Sequence, residues 1–116
     1  MDAFKTNVSR VELGMASKET SILERFAAKV IRLGVEELEV EYKDGYEEVF
    51  AVKGALGVGI ASLRSSSPQA ASLRRELYSI TKKKRRLTIG DSEYELRALI
   101  YDSFGEDAFR VQLRRI

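Results

Sequence analysis

The residues best equipped for chemistry form two clusters of opposite sign. Glu36, Glu37, Glu39, Glu41, Glu47 and Glu48 flank the pair Asp44-Gly45. Two carboxylates that meet across a hairpin can act as acid and base or hold a hard cation. The alternation of Glu37, Glu39, Glu41 and Lys43 with Leu38, Val40 and Tyr42 instead reads as the solvated outer face of a strand, with Glu39 and Glu41 as candidate contacts for a basic partner. The second cluster is the run Lys82-Lys83-Lys84-Arg85-Arg86. Together with Arg74, Arg75, Arg110, Arg114 and Arg115 it could face phosphate backbones or an acidic protein. Binders of single strands usually add exposed aromatics on a sheet face, whereas Phe50, Tyr94 and Phe109 alternate here as core residues would.

Other chemistries are closed by composition. The chain has no histidine and no cysteine, so imidazole bases, His-based zinc sites, thiol nucleophiles and disulfides are excluded. The glycine-rich stretch Gly54-Ala55-Leu56-Gly57-Val58-Gly59 is followed by neither a lysine nor a Ser/Thr-headed helix in register, so it reads as a packed or bulged strand rather than a phosphate loop. No catalytic residue, cofactor, metal or small-molecule substrate is expected, and the chain is read as a non-enzyme.

The elements that position these residues follow from periodicity. At 116 residues, 44% hydrophobic and 33% charged, the chain suits a single domain. Residues 1 to 16 alternate weakly through Val11, Leu13 and Met15, as an arm or edge strand would. Ile22, Phe26 and Val30, with the adjoining row Leu23, Ala27 and Ile31, predict a helix. Ser21 and Glu24 suit its capping box, Ser17 offers a cap one turn earlier, and Gly34 suits its end. A strand through Leu38, Val40 and Tyr42 then turns at Asp44-Gly45 into a second, about Tyr46 to Lys53. A third extended segment carries Leu56, Val58 and Ile60, its glycines suggesting close backbone packing.

Ser67 and Pro68 predict the start of a second helix with the stripe Ala70, Leu73, Leu77 and Ile80, ending in the basic run. A three-stranded meander follows: Leu87 and Ile89, then Tyr94, Leu96, Ala98 and Ile100, a turn at Asp102 to Asp107, and Phe109, Val111 and Leu113. The expected fold is a two-layer α+β domain, a largely antiparallel sheet of five to six strands with two helices on one face. The net charge of +2 divides unevenly. Residues 1 to 50 carry a net of −4 and residues 51 to 116 a net of +6, so each half could offer a patch of its own sign. No stretch approaches the roughly 20 apolar residues of a membrane span, and a cytoplasmic location is the default expectation.

In this order the chain resembles the N-terminal, PAS-like domain that precedes the motor domain in secretion and type IV pilus assembly ATPases. The resemblance covers about residues 21 to 116. Gly34-Val35-Glu36-Glu37-Leu38-Glu39-Val40-Glu41 follows the first helix where the family has Ala-Ser-Asp-Ile-His-Ile-Glu, so Glu41 falls on the motif glutamate and Glu39 replaces the histidine. Val49-Phe50-Ala51-Val52-Lys53-Gly54 keeps the phenylalanine and glycine of the family's second hairpin strand, but Val49 and Ala51 replace its arginines. Glu95-Leu96-Arg97 matches the Leu-Arg strand, and Gly105-Glu106 the turn into the last strand. The resemblance implies a PAS-like module that docks onto a larger assembly or onto itself, with Arg97 joining Glu39 and Glu41 as candidate contacts. With no phosphate loop or acidic Mg²⁺ strand, it implies a free-standing, divergent copy that does not hydrolyse ATP. The alternative expectation is a sequence-independent nucleic-acid binder acting through Lys82 to Arg86.

Overall fold

The first helix, α1 (Ile22–Arg32), is built by its capping box. Ser21 accepts a hydrogen bond from the Glu24 N–H at 3.1 Å, and the Glu24 carboxylate accepts from the Ser21 N–H. Two of the amides that a helix start leaves unpaired are thus satisfied locally. A third is met from afar: the Leu23 N–H donates to the Glu76 carboxylate at 3.2 Å. Ile22, Leu23, Ala27 and Val30 are buried, and the chain leaves through Gly34 at φ +82°, a left-handed conformation open to glycine.

The computed structural model describes residues 20–116. The weak alternation of residues 1 to 16 and the alternative cap at Ser17 lie outside them. The remaining elements are β1 (Glu37–Lys43), β2 (Tyr46–Lys53), β3 (Leu56–Arg64), α2 (Pro68–Lys82), β4 (Arg85–Ile89), β5 (Ser92–Ser103) and β6 (Glu106–Arg115). They form one six-stranded sheet in the order β3-β2-β1-β6-β5-β4, antiparallel at every step. Asp44 and Gly45 both take positive φ, as do Phe104 and Gly105, so two-residue turns close the β1–β2 and β5–β6 hairpins. The second of these turns is tighter than the sequence suggests, because β5 continues to Ser103 and β6 begins at Glu106.

Both helices pack on one face. Leu38, Val40, Val49, Ala51, Leu96, Ala98, Phe109, Val111 and Leu113 of the sheet form a continuous core with Leu23, Ala27 and Val30 of α1 and Leu73, Leu77 and Ile80 of α2. Full burial stabilises each large aliphatic side chain by about 1.5–3 kcal/mol. Helix α2 starts where expected: Ser67 accepts from the Ala70 N–H at 3.1 Å and Pro68 occupies the first turn.

The structure corrects three expectations. Glu47 is not part of the solvated face: the two-residue turn pairs it with Tyr42 on the helix side, where it is buried at 6% exposure. Phe50 is not a core aromatic, since it pairs with Glu39 and stands half-buried on the opposite, open face. Leu56 and Val58 alternate as predicted but remain 76% and 62% exposed, because α2 leaves the far end of β3 and packs chiefly on β5. The glycines of β3 do not mark close backbone packing either. A Cβ at Gly59 would meet nothing within 4 Å, and one at Gly57 would reach only the Phe50 side chain at an ordinary 3.7 Å.

Candidate interaction surface

The face turned away from the helices presents the side chains that alternate with the core. On β1 these are Glu37, Glu39 and Glu41. Glu39 lies opposite Arg110 of β6 on one side and Phe50 of β2 on the other, and Tyr101 and Ser103 of β5 stand on the same face beyond β6. The sequence places these residues far apart, and only the β1–β6 pairing brings them together.

The resulting network is continuous. The Arg110 guanidinium lies 3.5 Å from Glu37 and 3.4 Å from Glu39. The Tyr101 hydroxyl donates to Glu39 and, at 3.4 Å, to Glu41, and the Ser103 hydroxyl donates to Glu41 at 3.4 Å. Of the sequence-derived candidates, Glu39 and Glu41 are therefore joined, and Tyr101, Arg110 and Ser103 complete the group. Arg110 was visible only as one of several basic residues, and its pairing with glutamates depends on β6 lying beside β1. Arg97 stands exposed on the same face opposite Gln112 and makes no side-chain hydrogen bond or ion pair among the described residues.

Partial burial pushes the Tyr101 phenol well above its ordinary value of 10.0. Its hydrogen bond to Glu39 and the charges of Glu39 and Glu41 act in the same direction, against the opposing charge of Arg110. Tyr101 is thus a fixed proton donor, and losing that proton would set three negative charges together. Because folding favours the protonated phenol, the stability it contributes is complete below the unfolded pKa of about 10 and is lost as pH rises through the folded value. The urea midpoint should therefore fall between about pH 9 and about pH 11, and Tyr101→Phe should remove part of that fall. Parallel pH profiles for the two proteins would show that the phenol contributes nothing.

The basic run does not make one patch. Lys82 ends α2 and Lys83 caps it, whereas Arg85 and Arg86 already belong to β4. Strand alternation turns Arg85 toward the helices, where it lies 2.9 Å from Glu76 and 3.4 Å from Glu24. Lys84 pairs with Glu95 at 3.6 Å and Arg86 with Glu93 at 3.8 Å. Among the described residues, Lys82 and Lys83 alone of the five make no ion pair. The opposite charges of the two halves likewise meet inside the domain, as in Arg74–Glu47, Arg85–Glu24 and Arg110–Glu39.

Among the described residues no group of three or more acidic side chains is placed to hold a metal ion, and no helix is long and apolar enough to cross a membrane. The chain matches no protein-family model and no curated protein.

Proposed function

We propose that this domain is a non-enzymatic interaction module, PAS-like in fold and similar in kind to the pre-motor domain of secretion and pilus ATPases, that docks through the open face of its sheet. One observation carries the reading. Glu37, Glu39, Glu41, Tyr101 and Arg110 hold one another in place on a face that none of the described helices covers. Side chains already ordered before contact lose little entropy on binding, which favours a defined partner over diffuse attraction. The order and spacing of the elements are what the resemblance rests on.

The test is co-purification from the source organism with wild type and with Glu39→Ala/Glu41→Ala. The expected result is a partner retained by wild type and reduced by about tenfold or more in the variant, as for truncation of central interface contacts. A protein that recovers nothing above background in either form would sink the reading. For the nucleic-acid alternative, Lys82 and Lys83 are the cations of the basic run that make no ion pair among the described residues. Its salt dependence should flatten by about two released counterions in Lys82→Ala/Lys83→Ala, since each neutralised phosphate contributes a slope near −0.9.

A further inference from the structure

We infer that the outer edge of β3 is a self-association surface, where a second copy of this chain adds its own β3 in antiparallel orientation. Natural sheets blunt their edges with charge, proline, short strands or bulges. The two edges of this sheet differ in length and charge, although β3 carries one bulge. Strand β4 is five residues long and begins Arg85-Arg86, with Lys84 just before it. Strand β3 is nine residues long, carries no charged residue before Arg64 and contains no proline. Among the described residues it pairs only with β2.

The single irregularity of β3, the bulge at its middle, fixes the axis about which the strand meets a second copy. Val49 pairs with Ala61 and Phe50 with Gly59, so Ile60 is an extra residue and the strand changes parity there. Leu56 and Val58 before the bulge therefore share the helix side with Ala61 and Leu63 after it, while Gly57 and Ser62 share the open side. A two-fold axis between Gly59 and Ile60 sets Leu56 against Leu63 of the other copy, Val58 against Ala61, and Gly57 against Ser62. These three opposed pairs each lie on a common face, as strand pairing requires, and at the axis Gly59, which has no side chain, meets Ile60 of the other copy.

Charge selects the occupant. From Leu56 to Leu63 the strand is uncharged, so a two-fold pairing brings no like charges together. Two-fold pairing at β4 would instead crowd four arginines, Arg85 and Arg86 of each copy, into a strand of five residues. The pairing also covers the exposed Leu56 and Val58 side chains and gives Gly59, which has neither a positive φ nor a close neighbour in the chain, a backbone to lie against.

Sedimentation equilibrium of the full chain decides the matter. The expected result is a reversible dimer whose dissociation constant rises by about tenfold or more in Val58→Lys, because two desolvated lysines would face the apolar pair. Leu99→Lys, on the open face and 50% exposed, should leave the constant unchanged. Because the chain has no cysteine, an equimolar mixture of the Val58→Cys and Ala61→Cys proteins should form a disulfide-linked dimer that neither forms alone. A monomeric wild type, a dimer indifferent to Val58→Lys, or a mixture that fails to cross-link would each overturn the inference. A monomer would leave the open-face reading standing, since that face and this edge are separate surfaces.

Discussion

Phe109→Ala is expected to lower the free energy of unfolding by about 3–5 kcal/mol, the range for truncating a buried aromatic. Phe109 is 2% exposed on β6, where it pairs with Val40 of β1 and Ile100 of β5. Its ring meets the edge of Tyr78 from α2, with centroids 5.0 Å apart and planes at 89°. Removing it opens a cavity where the two hairpins and the second helix converge, and the paired strands on both sides limit collapse. Domains of this size hold about 5–15 kcal/mol in total, so the variant should sit near the edge of folding. Tyr78→Phe is the contrasting change. It keeps the edge-to-face contact and loses only the hydrogen bond to Asp107 at a site 40% exposed, so its cost should stay within about 1 kcal/mol. Urea titrations of both proteins check the pair. Equal midpoints would mean that α2 docks on β6 through the polar contact rather than the ring.

The elements most legible in the sequence were those specified by local chemistry. Ser21 with Glu24, Asp44-Gly45, and Ser67 with Pro68 each mark a boundary by satisfying backbone groups or fitting backbone angles within a few residues. The helical stripes of α1 and α2 follow from period alone. What escaped was set by distant pairing. Nothing near Arg85 in the chain says that it heads a strand rather than closing a helix; the decision comes from β5, whose Leu96 pairs with it, and from the carboxylates of Glu24 and Glu76. Tyr101 and Arg110 become partners of Glu39 only once β6 lies between β1 and β5. Exposure of Leu56 and Val58 depends on where α2 crosses the sheet, which alternation along β3 does not encode. Glu47 could have been placed inward by counting parity through the two-residue turn, yet a carboxylate among five others reads as surface until its partner is found.

That partner gives the second large effect. Arg74→Met should cost about 2–3 kcal/mol, below the full penalty for breaking a buried ion pair because the arginine itself is partly solvated. The Arg74 guanidinium donates to Glu47 at 3.0 Å and to the Ser65 carbonyl at 3.2 Å, and the Ser65 hydroxyl donates to the same carboxylate at 2.8 Å. The Glu47 side chain is 7% exposed and that of Arg74 is 35% exposed. Methionine keeps most of the stem and strands the carboxylate with one neutral donor. Arg74→Met/Glu47→Leu, which removes both charges, should return to within about 1 kcal/mol of wild type, and the gap between single and double variants measures the coupling. A double variant as unstable as the single one would place the cost in the lost Ser65 carbonyl contact instead. The location makes the pair consequential. It ties the first turns of α2 to β2 at the end where β3 passes into the helix, and β2 carries both Phe50 on the open face and the whole ladder of β3. Loosening it should therefore speed hydrogen exchange across residues 46 to 64 before it affects β5 and β6. Uniform acceleration throughout the sheet would mean that the two hairpins open only together.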